Sequence, residues 1–409
     1  MTENRIELLA PAGDLEKLRM AVWYGADAVY FGGEIGGLRA GAGNLTLPEI
    51  REAMDFLHEN GCRGYLTMNI YPHNRDLPLL ADYLTKLRDI PVDAYLVSDP
   101  GMFTLIREID PDREIHLSTQ ANTTNYRSAR FWAEQGVKRI VAAREMSLEE
   151  IREMRQQLPE DVEIEAFVHG AMCISYSGRC LLSNFMAGRD ANQGACTHPC
   201  RWKYHLVEEQ RPGEYYPVEE DDRGTYIMNS RDLCMLDCLP DMIRAGITSL
   251  KIEGRMKSSY YVATVVAAYR AALDAWIADP EHYEYRDAWF RELCKASHRE
   301  FTHGFFYRKP TAEDQNYLSS DYTREYSFVG LVRAYDASAG IVTVEQRNKF
   351  SVGDTVEIFS PGQPFREWVI PGMTDGEGNA IESAPHPQQT VRIPSAEPVA
   401  VNSILRKRK

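Results

Sequence analysis

Residues 6–33 read IELLAPAGDLEKLRMAVWYGADAVYFGG, and they predict one strand–helix–strand unit. The run IELLA is short and apolar, and Asp14, after Pro-Ala-Gly, is placed to cap a helix. Leu15, Leu18 and Val22 then fall on one helical face, and Gly25 ends the helix. The second apolar run, AVYFGG (28–33), is typical of a buried strand. The stretch therefore predicts a β-α-β unit at the start of the chain.

The same alternation continues to about residue 255. Helix signals recur, since Pro48 opens an amphipathic helix and Ser147 with Glu150 forms a capping box. Eight strands separated by helices favour an α/β fold of the (β/α)8 TIM-like barrel type over a doubly wound sheet. The remaining predicted strands are GYLTMN (64–69), AYLVSD (94–99), EIHLSTQ (114–120), RIVAARE (139–145), VEIEAFVHG (162–170) and SLKIEGR (249–255).

One interval between strands is much longer than the others. Most intervals are roughly 21 to 36 residues, as in ordinary βα units, but about 85 residues separate strands seven and eight. The excess, residues 170–248, leaves from the carboxyl end of strand seven, where barrel enzymes build their active sites. Polar residues end most strands in any protein, so those on this face are weak candidates for the pocket. They are Asn69, Asp99, Gln120, Glu145, His169 and Glu253.

This insertion is rich in cysteine. Its thiols have spacings of C-x6-C, C-x15-C and C-x3-C, followed by two more: Cys173, Cys180, Cys196, Cys200, then Cys234 and Cys238. The N-terminus lacks the features of a signal peptide, so we expect a cytoplasmic protein with reduced thiols. Zinc sites usually contain C-x2-C knuckles, which this sequence lacks, whereas irregularly spaced cysteines suit an iron–sulfur cluster. The pattern favours a cluster, with zinc and metal-free thiols as the alternatives.

Length and composition indicate two domains. The 409 residues are 44% hydrophobic, and no apolar run reaches the roughly 20 residues of a membrane span. We predict a barrel over 1–276, a helical and irregular connector over 277–322, and a small C-terminal β-barrel domain over 323–409. The formal charge of −14 argues against non-specific nucleic-acid binding. The basic tail, residues 406–409, could still contact phosphates, or it could simply be solvated.

Other catalytic motifs are missing from the sequence. It has no HExxH metalloprotease motif, no G-x-S-x-G nucleophile elbow and no Walker loop. GGEIGG (32–37), after strand two, is more typical of a flexible loop than of a phosphate-binding loop. Cys62 and Cys294 stand apart from the insertion, and we expect them to pack in the core.

Several long blocks resemble one known family. HGAMCISYSGRCLLSNF (169–185), NQGACTHPCRWKY (192–204), YIMNSRDLC (226–234) and SLKIEGRMKS (249–258) are similar to signature blocks of the collagenase-like peptidase family U32, as is ELLAPAG…GADAVYFGG. The resemblance covers roughly residues 5–275, and the β-domain resembles the family's C-terminal extension. It implies a [4Fe–4S] cluster and oxygen-independent hydroxylation of transfer RNA, ribosomal RNA or a ubiquinone precursor. The transfer-RNA branch is the most similar, which implies 5-hydroxyuridine at the wobble position and prephenate as the source of the hydroxyl oxygen.

The resemblance also implies roles for particular residues. Cluster ligands fall on Cys173, Cys180 and Cys196, and the fourth falls on either Cys234, which we favour, or Cys200. A dicarboxylate such as prephenate needs fixed cations, and the signature blocks supply candidates that could equally form structural salt bridges: Arg179, Arg189, Lys251 and Arg255. His169 is a candidate for proton transfer or a buried histidine that orients the loop, and Glu253 is a second catalytic candidate.

Two functions from different classes follow. The first is an iron–sulfur hydroxylase with transfer RNA and a small-molecule oxygen donor as partners, no membrane association, and room for a protein partner. The second is a peptidase, in which the cysteines would bind zinc or be structural. Hydroxylation of ribosomal RNA or a quinone precursor is a variant of the first.

Overall fold

The computed structural model describes residues 6–38, 43–173, 180–202, 205–206, 216–217, 229–310, 315–316 and 322–409. These residues form an α/β barrel followed by an antiparallel β unit. Among the described helices, none combines the length and the apolar composition that crossing a membrane requires.

Eight parallel strands form a closed barrel, which confirms the predicted fold class. Each of the first seven pairs with the next along the chain, and the last pairs with both the seventh and the first. Closure leaves each of these eight strands hydrogen-bonded on both sides, so none of the eight has a free edge. The barrel strands are β1 Glu7–Pro11, β2 Ala28–Gly32, β3 Arg63–Met68, β4 Ala94–Val97, β5 Glu114–Leu117, β6 Arg139–Val141, β7 Glu163–Ala171 and β12 Ser249–Ile252.

The helices that surround the barrel begin where local signals place them. The Asp14 carboxylate accepts from Lys17 N, and Ser147 with Glu150 forms the predicted capping box. A second capping box, Thr46 with Glu49, begins α2 one residue before Pro48, and the sequence analysis missed it. The helices are α1 Leu15–Trp23, α2 Leu47–Glu59, α3 Leu77–Leu87, α4 Pro100–Ile109, α5 Tyr126–Glu134, α6 Leu148–Gln157, α7 Leu182–Ala187, α8 Leu239–Arg244, α9 Ser259–Ala278 and α10 Asp287–Leu293.

The cysteine-rich insertion leaves β7 and returns to pair with it. Its last strand is antiparallel to the end of β7, with Leu233 opposite Gly170 and Cys234 opposite His169. The same strand pairs on its other side with β13, in parallel. The barrel sheet therefore gains two short strands beside its mouth. The short strands of this region are β8 His205–Leu206, β9 Tyr216–Pro217, β10 Asn229–Ser230, β11 Asp232–Cys234, β13 Phe301–Thr302 and β14 Gln315–Asn316.

The C-terminal residues form an antiparallel half-barrel with its own core. Six strands follow the order β19-β18-β22-β15-β16-β21, and a buried cluster that includes Val332, Val344 and Ile393 packs within it. The sequence-derived domain boundaries at 276 and 322 stay a prediction. The strands are β15 Tyr326–Asp336, β16 Ile341–Gln346, β17 Phe350–Ser351, β18 Thr355–Phe359, β19 Arg366–Val369, β20 Ser383–Ala384, β21 Thr390–Pro394 and β22 Ile404–Arg408.

The basic tail is a central strand of this half-barrel and not a solvated extension. Arg406 is fully buried, and its guanidinium bonds Glu357 of β18 at 2.7 Å and Glu292 of α10 at 2.9 Å. Lys295 bonds the same Glu357 at 2.8 Å. Arg406 therefore joins the barrel's outer helices to the C-terminal unit, and it is not available to contact a phosphate.

Replacing Arg406 with methionine is expected to lower the free energy of unfolding by about 3 to 5 kcal/mol. The reason is that the largely buried carboxylates of Glu292 and Glu357 would lose their main cation. Urea unfolding followed by tryptophan fluorescence measures the change. Arg408, two residues along the same strand, is exposed. The matched change Arg408→Met should cost less than about 0.5 kcal/mol. Equal losses in the two variants would contradict the anchoring role.

Candidate active site at the barrel mouth

A column of buried charges fills the interior of the barrel. At the amino ends of the strands, Arg139 bonds Glu7 at 2.6 Å and reaches Glu165 at 3.2 Å. Glu165 then bonds Lys251, one layer higher, at 2.6 Å. Burial alone would raise the pKa of Glu7, but Arg139 and Arg63 hold it at about 2. Glu7 is therefore ionised at neutral pH, and Arg139, Glu165 and Lys251 each lie within bonding distance of a group of opposite type.

Lys251, a predicted donor-binding residue, is part of this column. Its ammonium group lies 4.3 Å from the centre of the Tyr30 ring, and its side chain is 4% exposed. Burial pushes the pKa of Lys251 down, while Glu165 opposes that shift. Lys251 is thus already paired with Glu165 inside the barrel. Its contact with a donor stays a prediction.

Glu253 lies higher, at the carboxyl end of β12, paired with a residue that sequence reasoning missed. Arg144 Nη2 is 3.2 Å from a Glu253 carboxylate oxygen, and its guanidinium lies over the Phe167 ring at 3.8 Å. The backbone of Glu253 is fixed as well, since its carbonyl accepts from Tyr261 Oη at 3.1 Å. Arg144 lies three residues beyond the end of β6, next to Glu145 in the predicted run RIVAARE, and its place among the polar residues that end this run was the available signal.

Arg255 organises the glycine-rich loop that follows β2. It is 3% exposed, and it donates to Leu38 O at 2.8 Å and Asn44 Oδ1 at 2.5 Å. A Cβ atom on Gly32 would lie 2.1 Å from Arg255 Nη2, so a larger residue there would displace the Arg255 guanidinium. The described part of this loop, up to Leu38, is thus packed against Arg255 rather than loose as expected. These contacts support a positioning role for Arg255, and its role in donor binding stays a prediction.

His169 is turned away from the charged column by an irregularity in β7. The register between β7 and β12 shifts so that Lys251 pairs with Phe167 and Ile252 pairs with His169. The ring of His169 then meets Tyr261, Tyr269 and Phe301, with centroid separations of 5.5 to 6.0 Å. Burial lowers the pKa of His169 to about 3, which keeps the imidazole neutral. Its contacts are those of a histidine that orients the loop, and a role in proton transfer stays a prediction.

The other polar strand ends divide into mouth residues and helix caps. Asn69 Nδ2 donates to Ser118 Oγ at 3.1 Å, and the Asn69 carbonyl accepts from Ser98, which links the ends of β3, β4 and β5. Asp99 instead accepts from Met102 N at 3.0 Å and caps α4. This carboxylate therefore satisfies a free amide of the helix, and a direct role of Asp99 in the pocket stays a prediction.

The cysteine-rich insertion docks on this mouth. Tyr71, just after β3, donates from its backbone to Asn192 O at 3.2 Å and accepts from Gln193 Nε2 at 3.4 Å. The Tyr71 hydroxyl in turn donates to Gln120 O, after β5. The short helical turn Ala191–Gln193 of the insertion therefore lies against the loop after β3, which Tyr71 in turn connects to the loop after β5.

Polar contacts draw two of the predicted cluster ligands into one part of the insertion. Asn192 Nδ2 donates to Cys180 O at 3.3 Å, and Thr197 N donates to Ser183 Oγ at 3.0 Å. The Cys196 sulfur accepts from His198 N at 3.4 Å, the kind of contact that tunes iron–sulfur ligands. Cys180, Cys196 and Cys200 are half-buried and Cys173 is exposed. Arg189 is also exposed, and Arg179 lies outside the described residues.

Cys234 has a different environment. It is 4% exposed in the apolar core, and its sulfur accepts from Tyr269 Oη at 3.8 Å. Burial raises the pKa of the Cys234 thiol to about 12. The thiols of the insertion are exposed or half-buried, so a metal could reach them without breaking a buried hydrogen bond, whereas Cys234 would have to give up its bond with Tyr269.

Comparison with known proteins gives full-length matches. The profile of peptidase family U32 matches residues 13–316, and that of the family's C-terminal domain matches residues 324–406. A Bacillus subtilis protein named tRNA hydroxylation protein P1 is 44% identical over 98% of this chain and 95% of its own length. The Escherichia coli tRNA hydroxylation protein P is 37% identical over 98% and 96%. A Porphyromonas gingivalis protein named Collagenase is 31% identical over 88% of each chain.

Proposed function

We propose, from the premise that this chain belongs to peptidase family U32, that it is an enzyme that hydroxylates transfer RNA. The observation that carries the proposal is the match along nearly the whole chain to relatives named for tRNA hydroxylation. Both the barrel and the C-terminal half-barrel take part in that match. The proposal therefore concerns the complete two-part architecture and not an isolated barrel, whose fold alone supports many chemistries.

We further propose that the insertion holds a [4Fe–4S] cluster. Cys173, Cys180 and Cys196 are the proposed ligands, with the fourth supplied by Cys200 or Cys234. Such a cluster supplies one-electron transfer or an open iron coordination position, and either would suit hydroxylation without dioxygen. The bond between Tyr71 and Asn192 supports this proposal, because it holds the cysteine-bearing loops against the mouth of the barrel.

The insertion also carries surfaces suited to unpaired bases. The side chains of Phe185 and Trp202 are 86% and 45% exposed, although large aromatic groups usually avoid water. Single-stranded RNA stacks its bases on such rings at about 1 to 3 kcal/mol per base. This support is local, and it is compatible with the overall charge of −14.

We propose that the modified base is a uridine of the anticodon loop, at the wobble position, which becomes 5-hydroxyuridine.

Prephenate or a similar dicarboxylate is the proposed oxygen donor. Arg189 is exposed, lies between Cys180 and Cys196 in the sequence, and could bind a carboxylate directly. Lys251 and Arg255 already have partners that fix them at the mouth, and we propose that they bind the donor from these fixed positions. Arg144 and Glu253 form a closed pair at the rim, and a donor carboxylate could compete with Glu253 for Arg144.

Nucleoside mass spectrometry on a strain that lacks this gene tests the proposal. We expect 5-hydroxyuridine and its derivatives to disappear from transfer RNA and to return with a plasmid copy of the gene. Unchanged transfer-RNA nucleosides would overturn the tRNA assignment. Gelatin cleavage by the purified protein, retained after Cys180→Ser, would favour a peptidase, the function suggested by the relative named Collagenase.

A further inference from the structure

A second group of possible metal ligands lies outside the cysteine-rich mouth. Asp237 and Cys238 belong to the short turn Leu236–Cys238 that follows β11, and His303 follows β13 directly. The parallel pairing of β11 with β13 sets Leu233 opposite Thr302, so both strands deliver these residues to the same edge. Side chains from two distant parts of the sequence therefore meet at one point.

The distances between these side chains match those around a tetrahedral metal ion. His303 Nε2 is 3.2 Å from both carboxylate oxygens of Asp237 and 3.7 Å from Cys238 Sγ. All three donor groups lie within 4.8 Å of one another. Zinc bonds of about 2.0 to 2.3 Å would separate neighbouring ligand atoms by about 3.3 to 3.6 Å. An ion would thus fit with only small side-chain movements.

The arrangement differs from that of a catalytic cysteine with its histidine. In such a triad the nucleophile contacts one ring nitrogen and the carboxylate contacts the other. Here Asp237 and Cys238 both approach Nε2 of His303. Convergence on a single nitrogen fits donors around a common ion, as well as the ion pair that Asp237 and His303 form without a metal, and it does not orient a proton relay.

A cavity of about 520 Å³ adjoins two of the three side chains. Asp237 and His303 both line it, together with Arg231, Phe301 and Tyr307. The side chains of Asp237 and His303 are 45% and 46% exposed, so an ion between them would be reached from the cavity. Metal sites with three protein ligands usually keep the fourth position for water or a substrate oxygen.

We propose that Asp237, Cys238 and His303 bind one zinc ion, with the fourth coordination position open to this cavity. The ligand set decides the class of ion, because thiolate and imidazole select zinc-like transition metals over magnesium or calcium. The open position would accept water or an oxygen atom of a small anionic ligand. None of these three residues is a proposed cluster ligand, although Cys234, one of the two candidates for the fourth cluster ligand, lines the same cavity.

Metal analysis of the full-length protein, purified without air, tests the site. We expect about one equivalent of zinc beside the iron, and binding of added Zn²⁺ at least about 100-fold weaker in Cys238→Ser and in His303→Gln, since even indirect changes cost 10- to 100-fold. Cobalt as a probe should give a thiolate-to-cobalt absorption band in the wild type that disappears in Cys238→Ser. The iron content of both variants should match the wild type.

Cys294→Ser is the matched control, because Cys294 is a half-buried thiol outside the group. It should keep both the zinc equivalent and the cobalt band. Zinc retained at full affinity in Cys238→Ser, or a wild type that binds no zinc beyond its cluster thiols, would overturn the proposal. The triple variant Cys173→Ser/Cys180→Ser/Cys196→Ser locates any zinc held by the insertion instead. Transfer-RNA hydroxylation is measured separately, so failure of either proposal leaves the other testable.

Discussion

Replacing Cys180 or Cys196 with serine is expected to lower 5-hydroxyuridine in transfer RNA by more than about 100-fold, because changes that only surround a metal ligand already cost 10- to 100-fold. Serine keeps the size of the side chain but removes the soft thiolate that iron requires. Asn192 donates to the backbone oxygen of Cys180, which serine retains. His198 N donates to the Cys196 sulfur, and a serine oxygen can accept in its place. The folded insertion should therefore persist while the iron is lost.

Two measurements check this expectation. Anaerobically purified variants should lose their iron and their visible absorption, and transfer RNA from complemented deletion strains should lack the modified nucleoside. Cys294→Ser, outside the insertion, should behave as the wild type. Full hydroxylation by a variant that contains no iron would show that the thiols have another role.

The same assay decides between the two candidates for the fourth ligand. If Cys234 is the ligand, Cys234→Ser should lose iron while Cys200→Ser keeps it, and the reverse result assigns Cys200. Tyr269→Phe separates ligation from packing, because it removes the hydroxyl that bonds Cys234 and leaves the thiol in place. We expect Tyr269→Phe to retain the iron of the wild type.

Replacing Arg139 with methionine is expected to lower the free energy of unfolding by about 3 to 5 kcal/mol. The side chain is 1% exposed and compensates Glu7 and Glu165, whose own side chains are 4% and 0% exposed. Methionine fills much of the volume but leaves these carboxylates without their shared cation. Urea unfolding at neutral pH measures the loss.

Arg63→Met is the control, since Arg63 bonds the same Glu7 at 2.5 Å but is 47% exposed. Its loss should cost about 1 kcal/mol or less, because water screens an exposed pair. Comparable losses in the two variants would contradict the importance of burial.

The pH dependence gives an independent check of the same network. The pKa of Glu7 falls from 4.5 to about 2 on folding, so its stabilising effect is complete above pH 4.5 and is lost as the pH falls toward 2. In Arg139→Met, burial without the main cation should raise that pKa instead. The stability difference between wild type and variant should therefore shrink on acidification below about pH 5. A difference in stability that stays constant over this pH range would show that the loss in Arg139→Met does not come from the ionisation of Glu7.

The sequence by itself determined the barrel, because its signals are local. Alternating apolar runs, the Asp14 cap and the Ser147–Glu150 box each act within a few residues, and all three occur as predicted. The inward face of α2 was also readable, since Ile50, Ala53, Met54 and Leu57 recur at helical spacing and are buried. The length of one interval was enough to place the insertion after β7.

Only the tertiary structure decided which polar groups meet. Arg406 looked like part of a solvated tail, yet it is buried against Glu292, 114 positions away in sequence. Arg144 and Glu253 are 109 positions apart, and Cys238 and His303 are 65 apart. The sequence shows that a residue is charged or carries sulfur, but it does not show whether that side chain contacts water or another residue. The partner is set by strand register and by closure of the barrel, which involve the whole chain at once.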